Sequence, residues 1–145
     1  MLFTRRTEQL SRHAGQVSFP GGRVDPGDAG AVEAALREAD EEVGLGAGLV
    51  EPIGLLDPYL TVSGFRIVPV VGVAQPFRPR LDPAEVEEAF EVPLAALLEP
   101  GAFRRCSVPW CGRMRHYFEF HHGDHRIWGA TAAIVINLRE RLVAA

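Results

Sequence analysis

Residues 37–45 read Arg-Glu-Ala-Asp-Glu-Glu-Val-Gly-Leu, so Glu38, Asp40, Glu41 and Glu42 crowd the last turns of a helix that stops at Gly44. A helix C-terminus already carries partial negative charge, and each acid placed there costs roughly 0.3–1 kcal/mol. Something positive has to compensate, and a hard divalent cation is the simplest group able to face several carboxylates together. At about 100° per residue, Val32, Ala35, Leu36, Ala39 and Val43 form one buried stripe. Glu38, Glu41 and Glu42 share the adjoining arc at i,i+3 and i,i+4 spacing, so their side chains can converge on one point. Asp28, or Asp25 ahead of Pro26, is expected to cap a helix over 28–43, with Gly44 as the left-handed residue after it. An acidic run is ordinarily a solvated face. Its unfavourable end of the helix, and the segment before it, turn the reading toward a ligand.

That segment is Phe19-Pro20-Gly21-Gly22-Arg23-Val24-Asp25-Pro26-Gly27-Asp28. Paired glycines after Val17 and Phe19 allow a sharp bend and a close backbone approach. A glycine loop feeding a helix also presents N–H groups suited to phosphate. Loop and acidic helix together read as two halves of a metal and diphosphate site.

Gly22–Leu45 resembles the Nudix box, G-x5-E-x7-R-E-U-x-E-E-x-G-U with U aliphatic, through Arg37, Glu38, Glu41, Glu42, Gly44 and Leu45. Asp28 stands where the first glutamate belongs, with eight residues rather than seven before Arg37, and Ala39 is a small version of the aliphatic position. Leu2-Phe3-Thr4-Arg5-Arg6-Thr7, His13, Gly15-Gln16-Val17, Phe19-Pro20-Gly21-Gly22 and Ile127-Trp128-Gly129-Ala130-Thr131-Ala132 are similar to the coenzyme A pyrophosphatase subgroup of that superfamily. The resemblance implies the Nudix fold, class α+β, an α/β/α sandwich with a mixed β-sheet between helices. It implies a Mg²⁺-dependent hydrolase, with Mn²⁺ as substitute, cutting coenzyme A or acyl-coenzyme A to 3′,5′-ADP and a 4′-phosphopantetheine. By the same resemblance Glu41 and Glu42 are the main metal ligands and the Gly21 carbonyl another. Glu38 shares a metal or acts as general base, and Arg37 orients the glutamates. Arg6, His13, Gln16 and Gly22 are the substrate-binding candidates. Arg6 suits a bidentate phosphate contact, and hydrogen bonds that brace the loop are as good a reading of His13 and Gln16. Outside the box Glu85, Glu87 and Glu88 are unranked candidates for a further metal ligand, with an exposed turn as the alternative. Two other activities stand beside this one: hydrolysis of another nucleoside diphosphate compound such as ADP-ribose, and nucleotide binding without turnover.

The 145 residues, 47% of them apolar, suit a single domain over 1–145. Because the chain opens inside a strand, a missing N-terminal strand is expected to leave a sheet edge bare or covered by another chain, a homodimer among the options. A net charge of −4 argues against a general nucleic-acid or membrane surface, although Arg5, Arg6 and Arg12 can face an anion. Neither a long apolar run nor a signal peptide is present, so the expected setting is cytoplasmic and the expected partner a small nucleotide. Cys106 and Cys111, with His116, His121, His122 and His125 downstream, lack paired zinc spacing.

Strands are expected at 2–6, 15–19, 51–57, 65–74, 113–120 and 125–128, and further helices at 93–98 and 130–143. Within 113–120, alternation puts Met114, His116, Phe118 and Phe120 on one face and Arg113, Arg115, Tyr117 and Glu119 on the other. The β-branched run Ile67–Val73 reads as a strand buried on both faces, Pro69 excepted. Trp128 is expected to pack beneath the final helix.

Overall fold

The computed structural model describes residues 1–145, which form two compact units, Leu2–Phe90 and Glu91–Ala145 with Met1. Helices and antiparallel strands together give the α+β class.

In the first unit, β1 (Leu2–Arg6) lies between β2 (Val17–Ser18) and a strand at Val86–Glu91. Phe3 is fully buried and stacks on Phe19 and Phe90 at 5.0 and 5.7 Å between ring centroids, which ties the three strands together. Helix α1 (Ala31–Val43) packs Ala39 and Val43 against Leu45, Leu2, Leu49, Phe77 and Leu81. The stripe begins later than its periodicity suggests, since Val32 is exposed and Ala34 buried. The start of the helix also differs: Gly30 is the N-cap with no side-chain bond, because Asp28 is occupied elsewhere. Gly44 ends the helix at φ 70°, and a Cβ there would press on Arg80.

Between them, β3 (Val50–Leu55) pairs antiparallel with β6 (Val70–Ala74), and β4 (Tyr59–Leu60) with β5 (Arg66–Ile67). The expected strand over 65–74 is therefore broken before Pro69, which cannot donate to a ladder. It is not buried on both faces either, Val73 being 58% exposed, because β6 has one neighbouring strand. The strand at Val86–Glu91, β7, stands where an exposed turn is the alternative for Glu85, Glu87 and Glu88. Its acids obscure an alternation that sets Val86 inward. Arg5 pairs with Glu87 and Glu88 at 3.6 and 3.3 Å.

In the second unit a short helix α2 (Leu94–Leu98) precedes the meander β8 (Arg104–Trp110), β9 (Arg113–His122) and β10 (His125–Trp128), followed by α3 (Gly129–Ala144). Strand β8 is absent from the sequence expectations, its Arg, Ser and Pro content masking its period. The Gly123-Asp124 hairpin and the two faces of β9 are as expected, with Phe120 and Ile127 buried. Leu97, Ala132 and Val135 complete this core. Trp128 N-caps α3 and meets Tyr117 edge-on at 5.8 Å. None of the helices is long and apolar enough to cross a membrane.

Glu119 is the buried acid of this unit, 3% exposed, held by Arg104 directly across the ladder and by Arg126 at 2.7 Å. Hydrogen bonds from Arg104 and then Arg126 draw its carboxyl from the usual 4.5 down to about 2. A lowered folded-state value means stability that is complete above about 4.5 and lost as pH falls toward about 2. Thermal unfolding of the parent and Glu119→Gln across that range is expected to show a parent advantage at neutral pH that shrinks as acid is added.

Candidate active site

The acids of α1 divide into two sets. Glu38 and Glu42, one turn apart, converge with Glu85 so that one carboxylate oxygen from each lies within 4.8 Å of the others. Glu41 stays outside that trio, its side chain 58% exposed, and accepts at 3.4 Å from the same Arg37 Nη1 that reaches Glu38. Glu85 joins from the turn before β7, while Glu87 and Glu88 are engaged with Arg5.

Asp82 sets the third acid in place. Its N–H donates to the Glu42 carbonyl at 3.0 Å, and its own carbonyl accepts from Glu85 at 3.1 Å and Val86 at 2.8 Å. Its Oδ1 accepts from Ala84 N–H at 3.0 Å, closing an Asx turn. Two residues earlier, Arg80 N–H donates to the Val43 carbonyl at 2.8 Å. The connector thus satisfies the last carbonyls of the helix and delivers Glu85 to it. On the far side, Thr7 N–H donates to the Glu85 carbonyl at 3.1 Å.

Arg37 holds the other side of the cluster. Its Nε and Nη2 form a two-pronged contact with Asp28 at 3.0 and 2.9 Å, and Nη1 reaches Glu38 at 3.2 Å. Nη2 also donates to the Arg23 carbonyl at 3.0 Å, fastening the glycine loop to the helix. Asp28, 5% exposed at its side chain, is kept below the usual carboxylate range by the Arg37 hydrogen bond and the Asp25 N–H. The shorter acid and the added residue therefore still meet this guanidinium. Gly22 lies against the Glu38 carboxylate, which a Cβ there would push aside. Gly21 meets the cluster through its N–H, which donates to Glu42.

These contacts leave the cluster short of positive charge. Burial, followed by Glu85 and Glu38, pushes the Glu42 carboxyl up to about 7, against which the Gly21 N–H and Arg6 act. Burial raises Glu38 as well, opposed by Arg37. Arg6 ends β1 with its Nε buried and donating to no protein group. His13 and Gln16 face each other, Nδ1 to Oε1, at 3.1 Å on the exposed loop, which pairs them with one another. Converging carboxylates with a raised acid among them suit a hard cation taking oxygen ligands.

With the fold and this geometry in view, the chain belongs to the Nudix family: the NUDIX domain matches residues 1–111. The chain is 42% identical over 139 residues to the Nudix hydrolase NudL of Escherichia coli K12, covering 95% of itself and 72% of that protein. NudL of Shigella boydii is 41% identical over the same span, again 95% and 72% of the two chains. The crystal structure of a MutT protein from Methanosarcina mazei Go1 superposes with a TM-score of 0.53 at 26% identity, over 67% of this chain and 69% of that one. This is a pyrophosphohydrolase fold and family, whose substrates are nucleoside diphosphate derivatives and whose chemistry uses divalent cations.

Two outcomes follow from the local geometry. A carboxyl raised by burial and like charge opposes folding once ionised, so this part of the stability is complete below about 4.5 and lost as pH rises through about 7. Glu42→Gln is accordingly expected to stabilise the metal-free protein at pH above 7 by about 1–3 kcal/mol, allowing for solvent screening. Calorimetry in chelator measures it. Asp82→Ala, by opening the Asx turn, is expected to weaken Mn²⁺ binding about tenfold while Asp82→Asn restores it, read by isothermal titration.

Proposed function

We propose that the chain hydrolyses the diphosphate of coenzyme A or an acyl derivative, with Mg²⁺ held by Glu38, Glu42 and Glu85. The observation that carries the substrate class is Arg6: a cation beside Glu42 with a buried Nε that no protein group accepts from. It sits in the Leu2–Thr7 stretch that resembles the coenzyme A subgroup, and a guanidinium there suits the terminal 3′-phosphate. When bound, Mg²⁺ would neutralise phosphate oxygens and lower the cost of bringing water to phosphorus.

The chain's own groups do the rest. Arg37, anchored by Asp28, keeps Glu38 and Glu41 in orientation and prevents the helix end from splaying under its own charge. The Gly21-Gly22 bend, where Gly22 lies against the Glu38 carboxylate, would set backbone N–H groups beside the phosphates. Glu38, half-buried with a raised carboxyl, is the candidate to take the proton from the attacking water. Glu41, facing solvent, is the candidate for a second cation or for the same proton. The water oxygen bonds to one phosphorus, the bridging oxygen leaves with the other phosphate, and the products are 3′,5′-ADP and 4′-phosphopantetheine. His13 and Gln16, braced against each other, shape the loop between Arg6 and the glycines. The same reading includes a cytoplasmic setting and a homodimer as the assembly to measure by sedimentation.

A substrate panel of coenzyme A, its 3′-dephospho form, acyl-coenzyme A and ADP-ribose, with Mg²⁺ or Mn²⁺ and product chromatography, tests the proposal. Coenzyme A is expected to exceed the dephospho form in kcat/KM by about tenfold or more, and Arg6→Gln to erase that difference. Equal turnover of both forms transfers the assignment to another nucleoside diphosphate compound. Glu42→Gln is expected to lower kcat by about a hundredfold or more with every substrate.

A further inference from the structure

The outward face of the β8–β9–β10 sheet carries charge opposite in sign to the rest of the chain. The register places Arg104, Cys106, Val108 and Trp110 of β8 opposite Glu119, Tyr117, Arg115 and Arg113 of β9, and Trp128 opposite Glu119 on the other side. Since Phe120 and Ile127 fill the inward face, these residues lie together on the outward one. Glu119 is the one acid among them, already neutralised by Arg104 and Arg126. Arg126 lies over the rings of Trp128 and Tyr117 at 4.9 and 5.9 Å. Arg113 and Arg115 are exposed, and Trp110, across from Arg113, is 55% exposed.

The asymmetry extends to the units. Glu91–Ala145 holds seven arginines and five acids, whereas Leu2–Phe90 holds eight arginines and fourteen acids. The overall charge of −4 is therefore an average that hides a basic surface. Its cations, like all fifteen of the chain, are arginine, the residue that forks to phosphate and stacks on flat rings.

We infer that this face binds single-stranded nucleic acid. Arg113 and Arg115 are spaced at about 6.8 Å along the strand, and the face runs about 27 Å from Arg113 to the level of Arg126, room for several nucleotides in an extended strand. Guanidinia track the phosphates and Trp110 offers a platform for a base, the combination by which sheet surfaces hold single strands without reading sequence. An acidic protein surface would use the arginines and leave the indole unexplained. The inference stands apart from the hydrolase assignment, because none of these residues belongs to the carboxylate cluster.

The probe is a fluorescein-labelled oligo(U) of about 12 nucleotides, titrated with the full chain by anisotropy between about 50 and 200 mM salt. Arg113→Gln with Arg115→Gln is expected to weaken binding about tenfold and to reduce the log–log salt slope by about 1.4. Trp110→Ala is expected to weaken binding about fivefold with the slope unchanged. Hydrolysis of a small substrate should be the same in these variants, and their circular dichroism and thermal melting should match the parent's, which shows that the substituted sheet folds. Arg66→Gln with Arg78→Gln, a matched pair of exposed arginines in the acidic unit, should leave binding intact. Four results overturn the inference: no binding at the lower salt; equal loss in the control pair; equal affinity for a duplex; or a free-protein dimer, seen by sedimentation, that the Arg113/Arg115 variant dissociates.

Discussion

Repulsion among Glu38, Glu42 and Glu85 is the constraint around which the first unit is arranged. Three carboxylates brought within 4.8 Å of one another would separate if the backbone allowed it. Separation is opposed from three directions. Arg37 holds Glu38 and is itself fixed by Asp28. The Gly21 N–H donates to Glu42, and the connector ending at Asp82 bonds the helix terminus and the Glu85 turn at once. What these contacts leave uncompensated is a concentrated negative potential against a tight glycine bend, which is an appropriate place for a cation that a diphosphate shares.

The local half of this arrangement is legible in the sequence. The i,i+4 relation of Glu38 and Glu42, the acidic load at a helix end and the stop at Gly44 follow from helical periodicity alone. The tertiary half is not. Glu85 could not be separated from Glu87 and Glu88, because only the pairing of Arg5 with the latter two distinguishes them. Asp82 was equally hidden, because what its turn delivers depends on the helix it meets. Asp28 looked like a cap, and the chance to meet a guanidinium nine residues on outweighs capping.

Strands show a similar division. β9 and β10 were visible because aromatic and polar residues alternate cleanly around a Gly-Asp turn. β7 and β8 were hidden, since acids in one and arginines in the other obscure the apolar period. The basic character of the outward sheet face was equally hidden: Arg104 and Arg126 are far from Arg113 and Arg115 in sequence, and only the strand register sets them on one face. A whole-chain charge is a poor guide when two units differ in sign.

The Asp82 crossing has a consequence for how such an enzyme diversifies. Upstream of Arg80 the loop after β6 makes no backbone bond to the helix end and touches the helix through the Phe77 ring, so insertions on either side of Phe77 leave the backbone bonds that place the acids intact. From Arg80 to Glu85 the spacing is metered by successive backbone bonds to Val43 and Glu42. One residue gained or lost in that interval would rotate the third acid out of reach, which makes it the stretch that loop grafting should carry over unchanged.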